Sequence, residues 1–219
     1  MFLGHFGVAF AAKRAAPQAS LGILVLAAQL ADIVWPLLLL AGIEHVHVTH
    51  GQTPLLDLVF DSYPYSHSLL VQIGVGVVLA GIYRWRRGSI RSAAVVGLLV
   101  PSHWVLDWLV HVPDLPLLPG DPDRFGLGMW QSLPATLACE TAVFGVGTFI
   151  YALYTKALDG VGRWAFVGYT AFLAVIYAAS LFGGTPPSAN VVAWSALLLW
   201  LLPPWALWFD RHRIVQAAR

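Results

Sequence analysis

Residues 92–111 read SAAVVGLLVPSHWVLDWLVH. The stretch contains no Lys, Arg or Glu and has the length, roughly 20 apolar residues, that a helix needs to cross the hydrocarbon of a bilayer. It nevertheless carries His103, Asp107 and His111, each four residues from the next. Residues four apart are neighbours on one helical face, so the three form a polar stripe on an otherwise apolar span. An ionisable group in hydrocarbon costs several kcal/mol unless it pairs, lines a wet cavity or binds an ion. The stretch therefore predicts a membrane-spanning helix with a functional face.

The rest of the chain has the same character. It is 58% hydrophobic and 11% charged, with mean hydropathy +0.73, whereas soluble domains run near 45–50% apolar and about 25% charged. Further apolar segments lie at about 21–43, 67–83, 134–155, 164–183 and 191–209. The expected fold is all-α: a polytopic transmembrane helical bundle of about six spans within a single integral membrane domain, residues 1–219. The stretch 2–12 is too short to cross and reads as a half-helix or an interfacial helix. Lys13 and Arg14 follow that apolar run instead of preceding it, which is the reverse of a signal peptide. Gly74, Gly76, Gly81, Gly145 and Gly147 read as contact points where helices approach closely.

Placing Lys13 and Arg14 on the cytoplasmic side and alternating the spans puts every one of the 12 Lys and Arg residues except Arg124 inside. That is the asymmetry of the positive-inside rule. It predicts an integral membrane protein with a cytoplasmic C-terminus and with outer loops at about 44–66, 113–133 and 184–190. Trp130 reads as an anchor at the outer interface.

Depth then groups the polar residues. At 1.5 Å per residue, Asp32 and His103 both lie about 17 Å above the inner ends of their helices, Asp107 about 23 Å and His111 about 29 Å. Glu140 comes to about 21 Å, His67 opens its helix at the outer boundary, and His5 on a rising half-helix reaches about 12 Å. Imidazole and carboxylate together are what a divalent metal site is built from. No Lys or Arg lies in those spans to balance the acids. His5, Asp32, His67, His103 and Asp107 are the first candidates for metal ligands, with His111 after them; Asp107 and Glu140 are the candidate catalytic carboxylates. Ser66 reads as the N-cap of the helix that His67 opens, and Ser68 as a donor behind the ligand. Nitrogen-rich ligation favours Zn²⁺, and a carboxylate-dominated set Mn²⁺.

Other residues read plainly. His45, His47 and His50 in EHVHVTH, with Glu44, Asp57, Asp61, Asp114, Asp121 and Asp123, read as solvated groups of the outer loops. Cys139 reads as a small buried apolar residue. There is no nucleophile elbow, no phosphate-cradling loop and no dinucleotide fingerprint, and no basic patch that suits nucleic acid.

The order Gly4-His5, Asp32, Ser66-His67-Ser68, then His103-x-x-x-Asp107 resembles the membrane-bound metal-dependent hydrolases, also described as LexA-binding, inner-membrane-associated hydrolases. It is more distantly similar to the zinc-dependent phospholipase C and P1 nuclease superfamily of all-helical phosphoesterases. The resemblance covers about the first half of the chain. It implies metal-dependent hydrolysis, with His5, Asp32, His67, His103 and Asp107 in the ligand positions. The basic H-R-G-x-T-H-S stretch common in the hydrolases is replaced here by Asp61-Ser62-Tyr63-Pro64-Tyr65-Ser66-His67-Ser68, which lacks the Arg.

The reading is a hydrolase of a phosphoester or lipid-linked substrate at the outer face, with membrane lipids as neighbours and water on a divalent metal as nucleophile. Residues 1–112 form the metal-site half; residues 113–219 read as scaffold or as a surface for homo-oligomerisation. The alternatives are a metal-ion or proton transporter, and a non-enzymatic scaffold with a buried polar network. No inverted repeat between the halves supports transport.

Overall fold

The computed structural model describes residues 1–87 and 89–216; Arg219, one of the basic residues assigned to the inner face, lies outside them. Apolar sequence runs become helices, and capping side chains open several of them. Ser20, Ser89, Ser132, Asp159 and Ser188 each accept a hydrogen bond from the amide three residues on, which satisfies one of the orphan donors of a helix start. The helices are α1 (Leu3–Ala15), α2 (Leu21–Ala28), α3 (Leu30–Leu40), α4 (Leu69–Arg87), α5 (Ile90–Val110), α6 (Leu133–Tyr154), α7 (Gly160–Phe182), α8 (Ala189–Ala196) and α9 (Leu202–Arg211). Two short antiparallel pairings accompany them, β1 (His45–Val48) with β2 (Leu58–Ser62) and β3 (Thr155–Ala157) with β4 (Arg213–Val215).

The molecule is a helical bundle whose α4, α5, α6, α7 and combined α8–α9 segment are each long and apolar enough to cross a membrane. Large apolar side chains such as Val77, Phe149, Val175 and Trp194 face outward, while His5, His67, His103, Asp107 and Glu140 are buried. That inversion of the soluble pattern is expected when the surrounding solvent is lipid. Half of α5 is buried against 17% of α4 and 22% of α6, so α5 is the central helix and its polar stripe faces the interior.

Two spans are less regular than expected. The segment 21–43 is not one straight helix: α2 and α3 meet at Gln29 with a bend of 54°. The break leaves the carbonyl of Ala28 free to accept from a side chain elsewhere. The last span passes through a 3-10 segment, Leu197–Leu201, before α9. Pro203 and Pro204 have no N–H to continue the α-helical ladder, and local tightening is the usual response. The loop 44–66 is also more ordered than a solvated loop, because β1 and β2 form a hairpin within it.

Glycine contacts hold the layers together at two places. A Cβ on Gly147 would strike the backbone of Gly7, which lets α1 lie directly on α6. A Cβ on Gly76 would meet the carbonyl of Gly97, with the same effect for α4 and α5. Gly74, Gly81 and Gly145 meet nothing within 4 Å, so the expected packing role does not apply to them. Cys139 is partly exposed, not buried as expected.

A buried ion pair closes the end of the bundle away from the hairpin. Lys13 donates to Asp210 at 2.8 Å and to the carbonyl of Ala19. Asp210 also accepts from the Leu21 amide and the Tyr151 hydroxyl, both at 2.8 Å. α1, α2, α6 and α9 are thereby tied at one point. Between this clamp and the hairpin end lies an apolar core containing Phe6, Phe10, Leu24 and Tyr169.

Candidate metal centre

α5 supplies the axis of the site. His103, Asp107 and His111 stack along its buried face, with His111 at the C-cap. α1 brings His5 beside them: the His5 and His103 rings are parallel, with centroids 3.7 Å apart. The residue just before α4's first turn brings His67, and α3 brings Asp32 in its own first turn. The five residues with the sequence signal, drawn from four segments, meet in one place.

Their donor atoms converge in two overlapping sets, Asp32–His67–His103 and His5–His103–Asp107. In the first, Asp32 Oδ1 lies 3.5 Å from His67 Nε2 and 3.6 Å from His103 Nε2. In the second, Asp107 Oδ2 lies 3.0 Å from His103 Nε2, and Asp107 Oδ1 lies 3.1 Å from His5 Nε2. Metal–ligand bonds of about 2.0–2.1 Å in a tetrahedral site put neighbouring donors roughly 3.3–3.4 Å apart. The first set lies just above that spacing and the second just below it. They share the one lone pair of His103 Nε2, so they are alternatives for a single ion. In the second set, Asp107 Oδ1 and His5 Nε2 are already joined to each other by a hydrogen bond. The first set is the freer one.

Hydrogen bonds behind the imidazoles orient those lone pairs. His103 Nδ1 donates to the Ala28 carbonyl at 2.8 Å, the group exposed by the break between α2 and α3. His67 Nδ1 donates to Ser66 Oγ at 2.7 Å, and Ser66 in turn donates to Glu44 Oε2 at 2.6 Å. A ring nitrogen that donates at Nδ1 presents a bare lone pair at Nε2, which is the usual second-layer arrangement of a metal-binding histidine. His103 Nε2 accordingly has no hydrogen-bond partner although it is buried beside a carboxylate. Two acceptors held at 3.0 Å repel unless a cation or a proton lies between them. The residues present fit a divalent ion.

His111 occupies the edge of the cluster. Its Nε2 is 3.9 Å from Asp107 Oδ1, and its Nδ1 donates to Asp114 Oδ1 at 2.9 Å. Asp114 also accepts from the Tyr63 hydroxyl at 2.6 Å. Burial, together with the Asp114 charge, holds that hydroxyl well above the ordinary tyrosine range, so it remains a donor. Trp130 packs on the His111 ring, with centroids 4.0 Å apart.

Several expectations change on this geometry. Ser66 is not the cap of α4; it sits behind His67, while Ser68 Oγ accepts from the Val71 amide at 3.4 Å. The two serines exchange roles. Glu44 is not a solvated loop acid: it is buried, and it accepts from the amides of Tyr65 and Ser66 as well as from the Ser66 hydroxyl. Asp114, also assigned to the loop, backs His111. Glu140 lies at the start of α1, where its two oxygens accept from the amides of Phe2 and Gly4 at 3.0 and 3.2 Å. That is a cap for the orphan donors of a helix N-terminus. His45, His47 and His50 are exposed; His47 pairs with Asp61 and His50 with Asp57 and Thr185.

Glu44 and Gln72 were not among the expected site residues. Gln72 is buried, donates to the Ser66 carbonyl at 3.1 Å and accepts from the Trp104 amide at 3.1 Å. Gln72 carries a visible sign in being a lone amide within an apolar span. No family model, curated protein or solved structure matches the chain.

Proposed function

We propose that this chain is a membrane-embedded, metal-dependent hydrolase of a phosphoester, working at the hairpin end of the bundle, and that it belongs with the membrane-bound metal-dependent hydrolases that its motif order resembles. That end is the outer face if the basic residues set the topology, in a bacterial inner membrane. The observation that carries the proposal is the convergence of imidazole nitrogens and carboxylate oxygens from four segments at metal-ligand spacing. Asp32, His67 and His103 would hold the ion, Zn²⁺ before Mn²⁺ given two nitrogens in the set. Three protein ligands and one open position is the pattern of a catalytic zinc site, in contrast to the closed sets of structural ones.

A bound divalent ion supplies a water of near-neutral pKa and polarises a phosphoryl oxygen. The chain's own groups do the rest. Ala28 and the Ser66–Glu44 pair keep His103 and His67 in the ligating tautomer. Asp107, whose Oδ2 lies 3.0 Å from His103 Nε2 and 3.8 Å from His67 Nε2, would take the proton of the attacking water and return it to the alcohol oxygen as that P–O bond breaks. Glu140, with both oxygens accepting from backbone amides, is better suited to holding α1 and His5 in place than to proton transfer.

Conduction of an ion or proton is the weaker reading, because the apolar core around Phe6, Phe10 and Tyr169 lies between the cluster and the Lys13–Asp210 clamp. The test is elemental analysis of zinc-loaded, detergent-purified protein beside His103→Ala, with His47→Ala as control. A stoichiometric metal in the parent and in His47→Ala, lost in His103→Ala, supports the site. A metal-free parent overturns it and leaves the buried polar network as scaffold.

A further inference from the structure

Beside the metal centre runs a cleft of about 580 Å³, within the roughly 300–1,000 Å³ typical of ligand pockets. α7 packs on α9 but diverges from α8 and the 3-10 segment, and the cleft fills the gap. Asp32 and Trp35 stand at its α3 wall; Phe172 and Ile176 line the α7 side, and Leu198 and Leu202 the opposite one. Among the other described lining residues, Ser180 and Ser195 carry hydroxyls. Both of those hydroxyls donate to carbonyls of their own helices, at 2.7 and 2.9 Å, so the cleft wall is effectively hydrocarbon.

Two features join the cleft to the site. The Asp32 side chain is 24% exposed, against 1–4% for those of His67 and His103, so the cluster meets open space through Asp32. Trp35, three residues on from Asp32 in the same helix, lines the cleft beside it. The rim is formed by exposed Phe172 and Leu198, on a surface whose apolar helices face lipid. A water-soluble substrate gains nothing from such walls, whereas a hydrocarbon chain gains about 0.8 kcal/mol per methylene buried.

We infer that this cleft holds the hydrocarbon tail of the substrate, which is a membrane amphiphile with its phosphoester at Asp32 and its chain lying between α7 and the α8–α9 segment. The inference rests on the hydrolase reading for the headgroup, and on the cleft alone for the tail. Residues 172–180 of α7 give the chain a track of about 12 Å.

The experiment uses the full chain in lipid nanodiscs with a long-chain alkyl phosphate carrying a photoreactive diazirine in mid-chain, and with the matching alkane diazirine that lacks the headgroup. Adducts are mapped by peptide mass spectrometry, and metal content is read in parallel. The expected result is phosphate-probe adducts concentrated on α7 and residues 196–202. Ala196→Trp and, on the opposite wall, Ile176→Trp should each reduce them at least fivefold at unchanged metal content, while Val78→Trp on the lipid-facing side of α4 leaves them unchanged. Adducts spread evenly over the lipid-facing helices, or equal at the cleft for the headgroup-free probe, would show ordinary annular lipid and overturn the tail assignment. Loss of the hydrolase reading would register separately, as a parent protein without metal, whatever the adduct map shows.

Discussion

Glu44 and His67 are joined through a single hydroxyl: Ser66 Oγ donates to Glu44 Oε2 at 2.6 Å and accepts from His67 Nδ1 at 2.7 Å. A carboxylate that receives three donors, two of them amides, cannot turn away from its serine. The serine proton is therefore committed to Glu44, and the imidazole proton to the serine. The result is a fixed lone pair on His67 Nε2, aimed at Asp32.

If that chain sets the ligating tautomer, Glu44→Gln weakens metal binding about 10–100-fold, as loss of outer-layer partners commonly does, without removing a ligand. Chelator competition on zinc-loaded protein measures it. Ser66→Ala should match Glu44→Gln, and the double variant should be no worse than either single one, since both break one path. Additive losses would show that the two act independently.

Glu140 is expected to matter for structure first. Glu140→Ala leaves the Phe2 and Gly4 amides without acceptors, each costing about 1–3 kcal/mol if it stays dry. Thermal unfolding in detergent should show a clear fall, with reduced metal retention as His5 loosens. Glu140→Gln keeps one acceptor and should show a smaller fall. A Glu140→Gln protein of unchanged stability but without hydrolytic turnover would instead make Glu140 the general base.

The Lys13–Asp210 pair predicts an asymmetric mutational response. Both side chains are under 10% exposed, and removing one partner of a buried pair costs about 3–5 kcal/mol because the other charge is left unpaired. Lys13→Ala should therefore be strongly destabilised in chemical denaturation. Lys13→Met combined with Asp210→Asn should recover most of the loss, since the Asn oxygen still accepts from the Leu21 amide and its NH2 can donate to the Tyr151 oxygen. Failure of the double variant to recover would mean that the charge itself, not its pairing, is needed.

Asp159 makes a pH-dependent contribution on the surface. The Gly162 amide, and then His212 at 2.7 Å, hold its carboxyl below the ordinary range. A depressed carboxyl stabilises the fold above its unfolded pKa of about 3.9, and the contribution fades as pH falls through the lower folded value. The melting temperature of Asp159→Ala should lie below that of the parent at pH 7, and the gap should narrow toward pH 3. A gap that widened on acidification would contradict the assignment.

The bundle was legible in the chain because its evidence is local. A run such as 92–111 declares a spanning helix by length and composition, and the spacing of His103, Asp107 and His111 puts them on one face whatever surrounds them. The depth of Asp32 level with His103, and of His67 at the outer end of that face, is the same arithmetic of helical rise. The N-terminal stretch 2–12 likewise announced a helix too short to cross, and α1 is that helix.

What a residue faces is not local, and there the tertiary structure decided. Glu44 follows an apolar span as any loop acid does; only the return of the chain at Tyr65–Ser66 buries it among amides. Glu140 has the depth of a catalytic carboxylate, but its partners lie at residues 2 and 4, brought there because Gly147 lets α1 settle on α6. The bend at Gln29 has no glycine or proline to announce it, yet it frees the Ala28 carbonyl that orients His103. Hydrophobic pattern determines which segments leave water, because transfer into lipid is a property of the segment. The proton arrangement at each nitrogen depends on one acceptor from a distant segment at hydrogen-bond range, and only the packed chain supplies that.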